Sequence, residues 1–374
     1  MEWFPSGEID VEARPLGLPF GYLDVRRFTT IGDVHDVLTV RFSTDFREWH
    51  QTVLAEVITP CPGWEPRGDS YDWGTLIGDD HVLQLTMESD PDQAVCAADN
   101  MREVYRPVGW TTRDGVDWTR TVLDWPLDSA FREGANIAGG WPVDGGWEVV
   151  VHSRWEPSTM VVRSTDGAAW HEIARIEHDA EAHERIISTV ASADGTRVIA
   201  ITTEDPFSGQ TTLRVLGSSN GEDWSEIVAP FTGTHPPGPD GGDWLRALAP
   251  RSPVDAWVFV VEHADCFATA RRATVWVSSD LAQWDSAEFP WIVPRTELIA
   301  STPYGLIAHG GGYCDVTGGE GPPTPKGDRL LLSRDGLTWT PVRPAELHDG
   351  ILHVIEGPEG VLLVEWPGQM WATR

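Results

Sequence analysis

Aromatic and acidic side chains gather in and beside the long irregular segments of this 374-residue chain. The longest segments cover residues 59–72, 88–103, 230–243 and 310–328 and are rich in Gly, Pro and acidic residues. Rings can stack on sugar faces while carboxylates bind hydroxyl groups, and long loops on a rigid framework often carry function. The candidate ligand-binding residues are Trp64, Asp69, Tyr71, Asp72, Trp155, Glu204, Asp205, Asp243, Glu262, Trp291, Arg295 and Tyr313. The alternative for the aromatic members is packing between sheets, which we favour for the neighbouring Trp73 and Trp244.

Metal ligation is a second chemistry that the sequence allows. His178, Asp179, Glu181 and His183 lie close together in the chain, and Glu262 begins a Glu-His-x-Asp run. Neither spacing matches a zinc signature, so we interpret both as solvated polar segments. No cofactor is predicted, and Ca²⁺ held by loop carboxylates is the ion that would fit best.

A short phrase, Ser/Thr-x-Asp/Asn-(Gly)-x-x-Trp, recurs six times and indicates the elements that must position these residues. An apolar run precedes each copy and an extended segment follows its Trp. The hydroxyl and carboxylate can accept hydrogen bonds from turn amides, and Gly supplies a positive φ. Each copy therefore predicts a β-hairpin turn, and the period of tens of residues predicts a repeat architecture. The copies, called repeat turns 1 to 6 below, cover residues 43–49, 112–118, 164–170, 218–224, 278–284 and 333–339.

The phrase resembles the Asp box, also called the BNR repeat, of sialidase-like β-propellers. Gly directly follows the Asp or Asn in four copies, whereas Phe46 and Leu281 take that place in turns 1 and 5, which favours another turn type there. The resemblance covers nearly the whole chain. It implies an all-β fold of four-stranded antiparallel blades.

The spacing of the repeat Trps leaves room for one four-stranded blade per repeat. Three further strand-like segments follow turn 6, and Met1-Glu2-Trp3 matches the end of a repeat. We therefore predict one domain over residues 1–374, with the N-terminal strand completing the last blade and closing the ring. Seven blades are favoured and six are the alternative, because the closing stretch is short.

The resemblance also implies that ligands bind on the face opposite the boxes, where the long segments lie. Sialidases hold the substrate carboxylate with three arginines and use a Tyr nucleophile, an Asp acid and an Arg-Ile-Pro motif. Arg14-Pro15-Leu16 is a poor match to that motif, Tyr304 is predicted in a turn on the wrong face, and Arg246 and Arg295 complete no triad. A sialidase assignment is therefore disfavoured.

The net charge of the chain limits the kinds of molecule that it can bind. The 27 Lys and Arg against 58 Asp and Glu give a formal charge of −31, which disfavours nucleic acid and anionic lipid. No stretch approaches eighteen apolar residues, so no membrane span is predicted. The chain as given begins without a secretory signal, so a cytoplasmic location is the alternative to export from a trimmed start.

Four cysteines bear on the compartment. In the expected propeller topology, Cys61, Cys96, Cys266 and Cys314 all map to the face opposite the boxes. Cys61–Cys96 and Cys266–Cys314 are the economical pairing among three connectivities, and they would indicate an oxidising compartment. Four unpaired thiols are the alternative.

The sequence as a whole favours a monomeric, non-catalytic propeller that binds a glycan or a protein through its loop-rich acidic face. A glycoside hydrolase that uses carboxylates on the same face is one alternative. An assembly scaffold is the other.

Overall fold

The computed structural model describes most of the chain as β-strands and the turns between them. No helix occurs in the residues that it describes. Those residues are 3–8, 16–30, 35–45, 48–58, 72–78, 80–89, 95–97, 100–102, 105–126, 135–153, 158–177, 183–204, 211–235, 245–251, 253–263, 272–289, 299–309, 330–342, 351–357, 360–365 and 369–373.

The described residues form two compact units. The first unit covers Glu12–Glu177, and the second combines Met1–Val11 with His178–Arg374. The prediction of a single domain over residues 1–374 stays a prediction.

The first unit holds three four-stranded antiparallel sheets and one small hairpin. Sheet 1 consists of β2 (Leu16–Leu18), β3 (Gly21–Thr30), β4 (His35–Ser43) and β5 (His50–Ile58). Sheet 2 consists of β6 (Asp72–Ile77), β7 (Val82–Ser89), β10 (Tyr105–Thr112) and β11 (Thr119–Val122), and the hairpin pairs β8 (Val95–Ala97) with β9 (Asn100–Arg102). Sheet 3 consists of β12 (Ala135–Val143), β13 (Gly146–Ser153), β14 (Ser158–Ser164) and β15 (His171–Glu177).

The second unit holds four sheets of the same up-and-down order. Sheet 4 consists of β16 (His183–Ala191), β17 (Arg197–Glu204), β18 (Thr211–Ser218) and β19 (Ser225–Glu226), with β20 (Gly233–His235) also pairing β18. Sheet 5 consists of β21 (Leu245–Leu248), β22 (Trp257–His263), β23 (Arg272–Ser278) and β24 (Asp285–Glu288). Sheet 6 consists of β25 (Ile299–Thr302), β26 (Gly305–His309), β27 (Leu330–Ser333) and β28 (Trp339–Pro341). Sheet 7 consists of β29 (Ile351–Gly357), β30 (Gly360–Glu365), β31 (Gln369–Thr373) and the N-terminal β1 (Trp3–Glu8).

The predicted all-β fold of four-stranded antiparallel sheets is confirmed. Six of the sheets have four strands, and sheet 4 has a fifth. The pairing of Trp3 with Thr373 and of Glu8 with Gln369 confirms that the N-terminal strand completes the last sheet. The choice between seven blades and six stays a prediction.

The second strand of a sheet is buried on both faces. Val149, Val150 and Val151 of β13 are fully buried, as are Val198 to Ile201 of β17. A continuous apolar run is what a strand covered on both sides requires. Each of these Val and Ile side chains contributes about 1.5–3 kcal/mol of burial free energy.

Sheets that follow each other in the chain pack against each other within a unit. One cluster joins Leu83 of sheet 2 to Trp147 of sheet 3, and another joins Leu213 of sheet 4 to Phe259 of sheet 5. A third cluster joins sheets 5 and 6. The core is therefore distributed between neighbouring sheets.

The repeat turns share one hydrogen-bond pattern. In turn 3 the Ser164 hydroxyl accepts the Gly167 amide at 2.9 Å, and Asp166 Oδ1 accepts the amides of Ala168 and Ala169 at 2.8 and 2.9 Å. The Trp170 indole then donates to the Gly167 carbonyl at 3.2 Å. Turns 2, 4 and 6 repeat these bonds, which confirms the predicted hairpin turns.

Turn 5 corrects the expectation of a different turn type. Leu281 has a φ of 59°, close to the 74–79° of the glycines in turns 2, 3, 4 and 6, and Asp280 accepts the same two amides. The Leu281 side chain packs against the cluster between sheets 4 and 5, which offsets the strain of a left-handed leucine. Phe46 of turn 1 lies outside the described residues.

Candidate functional site

Most of the predicted ligand-binding set lies outside the described residues. That part comprises Trp64, Asp69, Tyr71, Trp155, Asp205, Asp243, Trp291, Arg295 and Tyr313. The backbones of Asp72, Glu204 and Glu262 are described as strand. The role of the whole set stays a prediction.

These three acidic residues lie at the same end of their respective sheets. Asp72 begins β6 and pairs with Thr86, whereas Glu262 of β22 pairs with Ala273 near the start of β23. Glu204 ends β17 and pairs with His183 and Thr211, the first residues of β16 and β18. The repeat turns follow the opposite ends of β10, β18 and β23. We call the end away from the repeat turns the loop end of a sheet.

A charged group that the sequence analysis missed lies at the loop end of sheet 4. The Glu184 side chain is 5% exposed, and its Oε1 accepts a hydrogen bond from Thr203 Oγ1 at 3.2 Å. Arg214 Nη1 lies 3.9 Å from the same oxygen, and its side chain is 33% exposed. Glu184 and Thr203 are paired across β16 and β17, one residue from Glu204. The sequence signal that could have identified it is a Glu at the second position of β16, just before the apolar residues of that strand.

Arg214 could present a cation to a polar ligand, while the buried Glu184 holds it in place. A buried carboxylate requires a paired charge or hydrogen bonds, and Arg214 and Thr203 provide both. The part of Arg214 that is exposed can still donate to hydroxyl or carboxylate groups. The described groups at this end are therefore suited to hydrogen bonding with a polar ligand.

Two other buried carboxylates have a structural role. Glu148 of β13 accepts from Arg163 Nη2 at 2.6 Å and from the Trp141 indole at 2.7 Å. Asp24 of β3 accepts from Arg26 Nε at 2.6 Å and Arg41 Nη2 at 2.5 Å. Both carboxylates are fully buried, and their ion pairs with Arg163 and Arg41 connect neighbouring strands, which is a structural role.

A histidine and an aspartate also pair near repeat turn 2. His81 Nδ1 lies 2.6 Å from Asp80 Oδ1, and Arg113 Nη2 lies 3.9 Å from Asp80 Oδ2. The hydrogen bond to His81, with smaller help from the Arg113 charge, lowers the pKa of Asp80. The His81 ring packs edge-on against Trp147. Since the pair lies away from the loop end, it does not belong to the predicted site.

The remaining residues named in the sequence analysis lie partly in described strands and turns and partly outside the described residues. Tyr304 lies in the turn between β25 and β26, as predicted, and Arg246 is the second residue of β21. Cys96 lies in β8, whereas Cys61, Cys266 and Cys314 lie outside the described residues, so both disulfides stay predictions. His178, Asp179 and Glu181 lie outside as well, and His183 begins β16.

The described residues contain no group of three or more His, Cys, Asp or Glu side chains that could hold a metal ion. Among the same residues, no helix has the length and apolar character to cross a bilayer.

No protein-family model matches this chain, and no curated protein matches it. Among solved structures, the chain is similar to the β-propeller domain of the Trilobed protease from Pyrococcus furiosus, with a TM-score of 0.52 at 8% identity. That match covers 99% of this chain and 95% of the other.

Two further matches have lower TM-scores. A protein of unknown function from Dyadobacter fermentans matches with a TM-score of 0.48 at 14% identity, covering 100% of this chain and 98% of that one. Trypanosoma rangeli sialidase matches with a TM-score of 0.42 at 12% identity, covering 75% of this chain and 48% of that one. The comparison with the protease domain, together with the sheets described above, shows that the chain has the β-propeller fold.

Proposed function

We propose that this chain is a non-catalytic, Asp-box propeller that recognises a glycan or a protein at the loop ends of its sheets. The observation that carries the proposal is the position of acidic residues at these ends: Asp72, Glu204 and Glu262 in three sheets, with Glu184 and Arg214 beside Glu204. The aromatic candidates belong to the segments that connect strands at the same ends. Rings beside hydrogen-bonding charged groups are the combination that sugar and peptide ligands require.

The buried acids of the described residues are paired with cations or hydrogen-bond donors, which supports a function without catalysis. Glu148 and Asp24 are neutralised by arginines inside their sheets, and Glu184 is held by Thr203 and Arg214. A retaining or inverting glycosidase needs two carboxylates that face one bond, one of them protonated. Paired acids of this kind favour binding over bond cleavage.

A glycoside hydrolase stays the competing function because Asp72, Glu204 and Glu262 each lie at the loop end of their own sheet. We further propose a monomer exported to an oxidising compartment, with Ca²⁺ as the ion that the acidic segments would bind.

A glycan array with purified protein, with and without Ca²⁺, tests the proposal, together with a panel of fluorogenic glycosides. Binding without turnover is expected. Turnover of any glycoside would overturn the non-catalytic assignment and direct attention to the loop-end carboxylates. The absence of both binding on the array and turnover of a glycoside would contradict glycan recognition and leave a protein as the ligand. Affinity purification from the source organism followed by crosslinking would then test for a protein ligand.

A further inference from the structure

Asn220 is the only one of the three asparagines in the chain that directly precedes a glycine. It takes the place of the Asp in repeat turn 4, and its side chain is exposed. A following glycine has no Cβ, so its backbone nitrogen can approach the asparagine side chain without steric hindrance. Asn100 and Asn136 precede Met101 and Ile137, which lack this freedom.

The side-chain oxygen of Asn220 is held by the backbone of the turn. Its Oδ1 accepts the amides of Glu222 and Asp223, both at 2.9 Å. Because both partners are donors, the assignment of oxygen and nitrogen in this side chain is fixed. Two amide donors aimed at one carbonyl oxygen polarise the carbonyl carbon and stabilise negative charge that develops on the oxygen.

A hydroxyl connects that oxygen to the backbone nitrogen of Gly221. Ser218 Oγ accepts the Gly221 amide at 2.8 Å and donates to Asn220 Oδ1 at 3.1 Å. The amide nitrogen of the side chain donates to Asp223 Oδ2 at 3.0 Å. A nucleophile, a proton relay and an activated carbonyl are thus present in one turn.

We propose that Asn220 is a site of spontaneous deamidation in the folded protein. The Gly221 nitrogen attacks Asn220 Cγ and gives its proton to Ser218 Oγ, while the Ser218 hydroxyl proton passes to Oδ1. The Cγ–Nδ2 bond then breaks, Nδ2 takes the new hydroxyl proton and leaves as ammonia, and a five-membered succinimide remains. Water opens the ring at either carbonyl to give aspartate or isoaspartate, so one water is consumed and one ammonia is released.

The two products have different consequences for sheet 4. Aspartate at position 220 is the residue that the other five repeat turns carry, and it keeps the acceptor for Glu222 and Asp223. Isoaspartate lengthens the main chain by one carbon between β18 and β19, in the turn where the Trp224 indole donates to the Gly221 carbonyl. Only the second product changes the path of the backbone.

Peptide mapping after incubation of the folded protein at mildly alkaline pH tests the proposal. The tryptic peptide of residues 215–246 contains Asn220 as its only side-chain amide, so any amide-to-acid mass change in it is assigned. Conversion in this peptide, with Asn100 and Asn136 unchanged, is the expected result. No conversion in the folded chain over a time in which the urea-unfolded chain reacts would overturn the proposal.

Variants of Ser218 test the relay. Ser218→Thr keeps a hydroxyl in the geometry that Thr112 adopts in turn 2, where it accepts the Gly115 amide at 2.9 Å and donates to Asp114 at 3.1 Å. This variant should deamidate at the wild-type rate, whereas Ser218→Ala should react at least about tenfold more slowly. Equal rates in two variants that both melt cooperatively would remove the relay from the mechanism.

Discussion

Gly115 of repeat turn 2 lies directly against the ring of Phe42 in the neighbouring sheet, so that a Cβ at position 115 would overlap with the ring. Gly167 occupies the equivalent place in turn 3 with nearly the same φ, 74° against 76°, but a Cβ there would meet no atom within 4 Å. The glycine of a repeat turn therefore has two separate roles, backbone conformation and close packing of sheets.

The two glycines form a matched pair for measuring these roles. Gly167→Ala should lower the free energy of unfolding by about 1–2 kcal/mol, since only the left-handed backbone is penalised. Gly115→Ala should cost a further 1–3 kcal/mol or so because the methyl group also overpacks against Phe42. Urea unfolding followed by tryptophan fluorescence measures both, and equal losses would contradict the packing role.

The ion pair of Glu148 and Arg163 should contribute far more than its exposed counterpart. Arg163→Met removes the cation that pairs with a fully buried carboxylate, at a cost of about 3–5 kcal/mol. Arg175→Met in the same sheet breaks the surface pair with Glu172 and should cost less than about 1 kcal/mol. The same unfolding experiment compares the two variants. Similar losses in the free energy of unfolding would show that the buried Glu148 does not require Arg163 as its cation.

Acid should weaken the repeat turns through their aspartates. Amides of Ala169 and Ala168 lower the pKa of Asp166, and amides of Gln283 and Ala282 lower the pKa of Asp280. A carboxylate whose pKa is lower in the folded than in the unfolded state stabilises the fold at pH values above its unfolded-state pKa. That stabilisation is lost as the pH falls through the folded-state pKa.

Asp166→Asn should therefore flatten the fall in melting temperature below about pH 4, because an amide accepts the same bonds without titrating. Asn220→Asp should make the fall steeper, since it adds a carboxylate to the one turn that lacks it. Melting curves between neutral and strongly acidic pH measure both slopes. Parallel curves for wild type and both variants would be incompatible with this role of the turn aspartates.

Removal of residues 1–12 should sharply lower the melting temperature. This change takes away β1, which pairs with β31 along five residue pairs, and exposes an edge of sheet 7. A synthetic peptide of residues 1–12 should restore part of the loss, whereas a scrambled peptide should not. An unchanged melting temperature would contradict the structural role of β1.

Peptide mapping without reduction should recover Cys61 linked to Cys96 and Cys266 linked to Cys314 from protein made in an oxidising compartment. Reduction should then lower the melting temperature, because loop closure in the unfolded chain is released. Four alkylatable thiols in the native protein would refute the pairing.

The repeat turns made the sheets predictable, because Ser, Asp, Gly and Trp at fixed spacing mark each hairpin. The ion pair of Glu148 and Arg163 was not predictable, since it depends on a strand register that brings residues 15 positions apart to the same place. Turn 5 was predicted wrongly because the propensity of Leu281 was weighed without the cluster that its side chain fills. The candidate site lies in segments without a repeat pattern, so residue type alone indicated its members.

The most direct test of the central claim compares ligand binding by wild type, Asp205→Asn and Asp117→Asn on the glycan array. Both changes remove one carboxylate, but residue 205 follows Glu204 at the loop end of sheet 4, whereas Asp117 is exposed in repeat turn 2. Recognition at the loop end predicts a loss of about tenfold or more for Asp205→Asn and wild-type binding for Asp117→Asn. A loss confined to Asp117→Asn would contradict the account, as would wild-type binding by both variants.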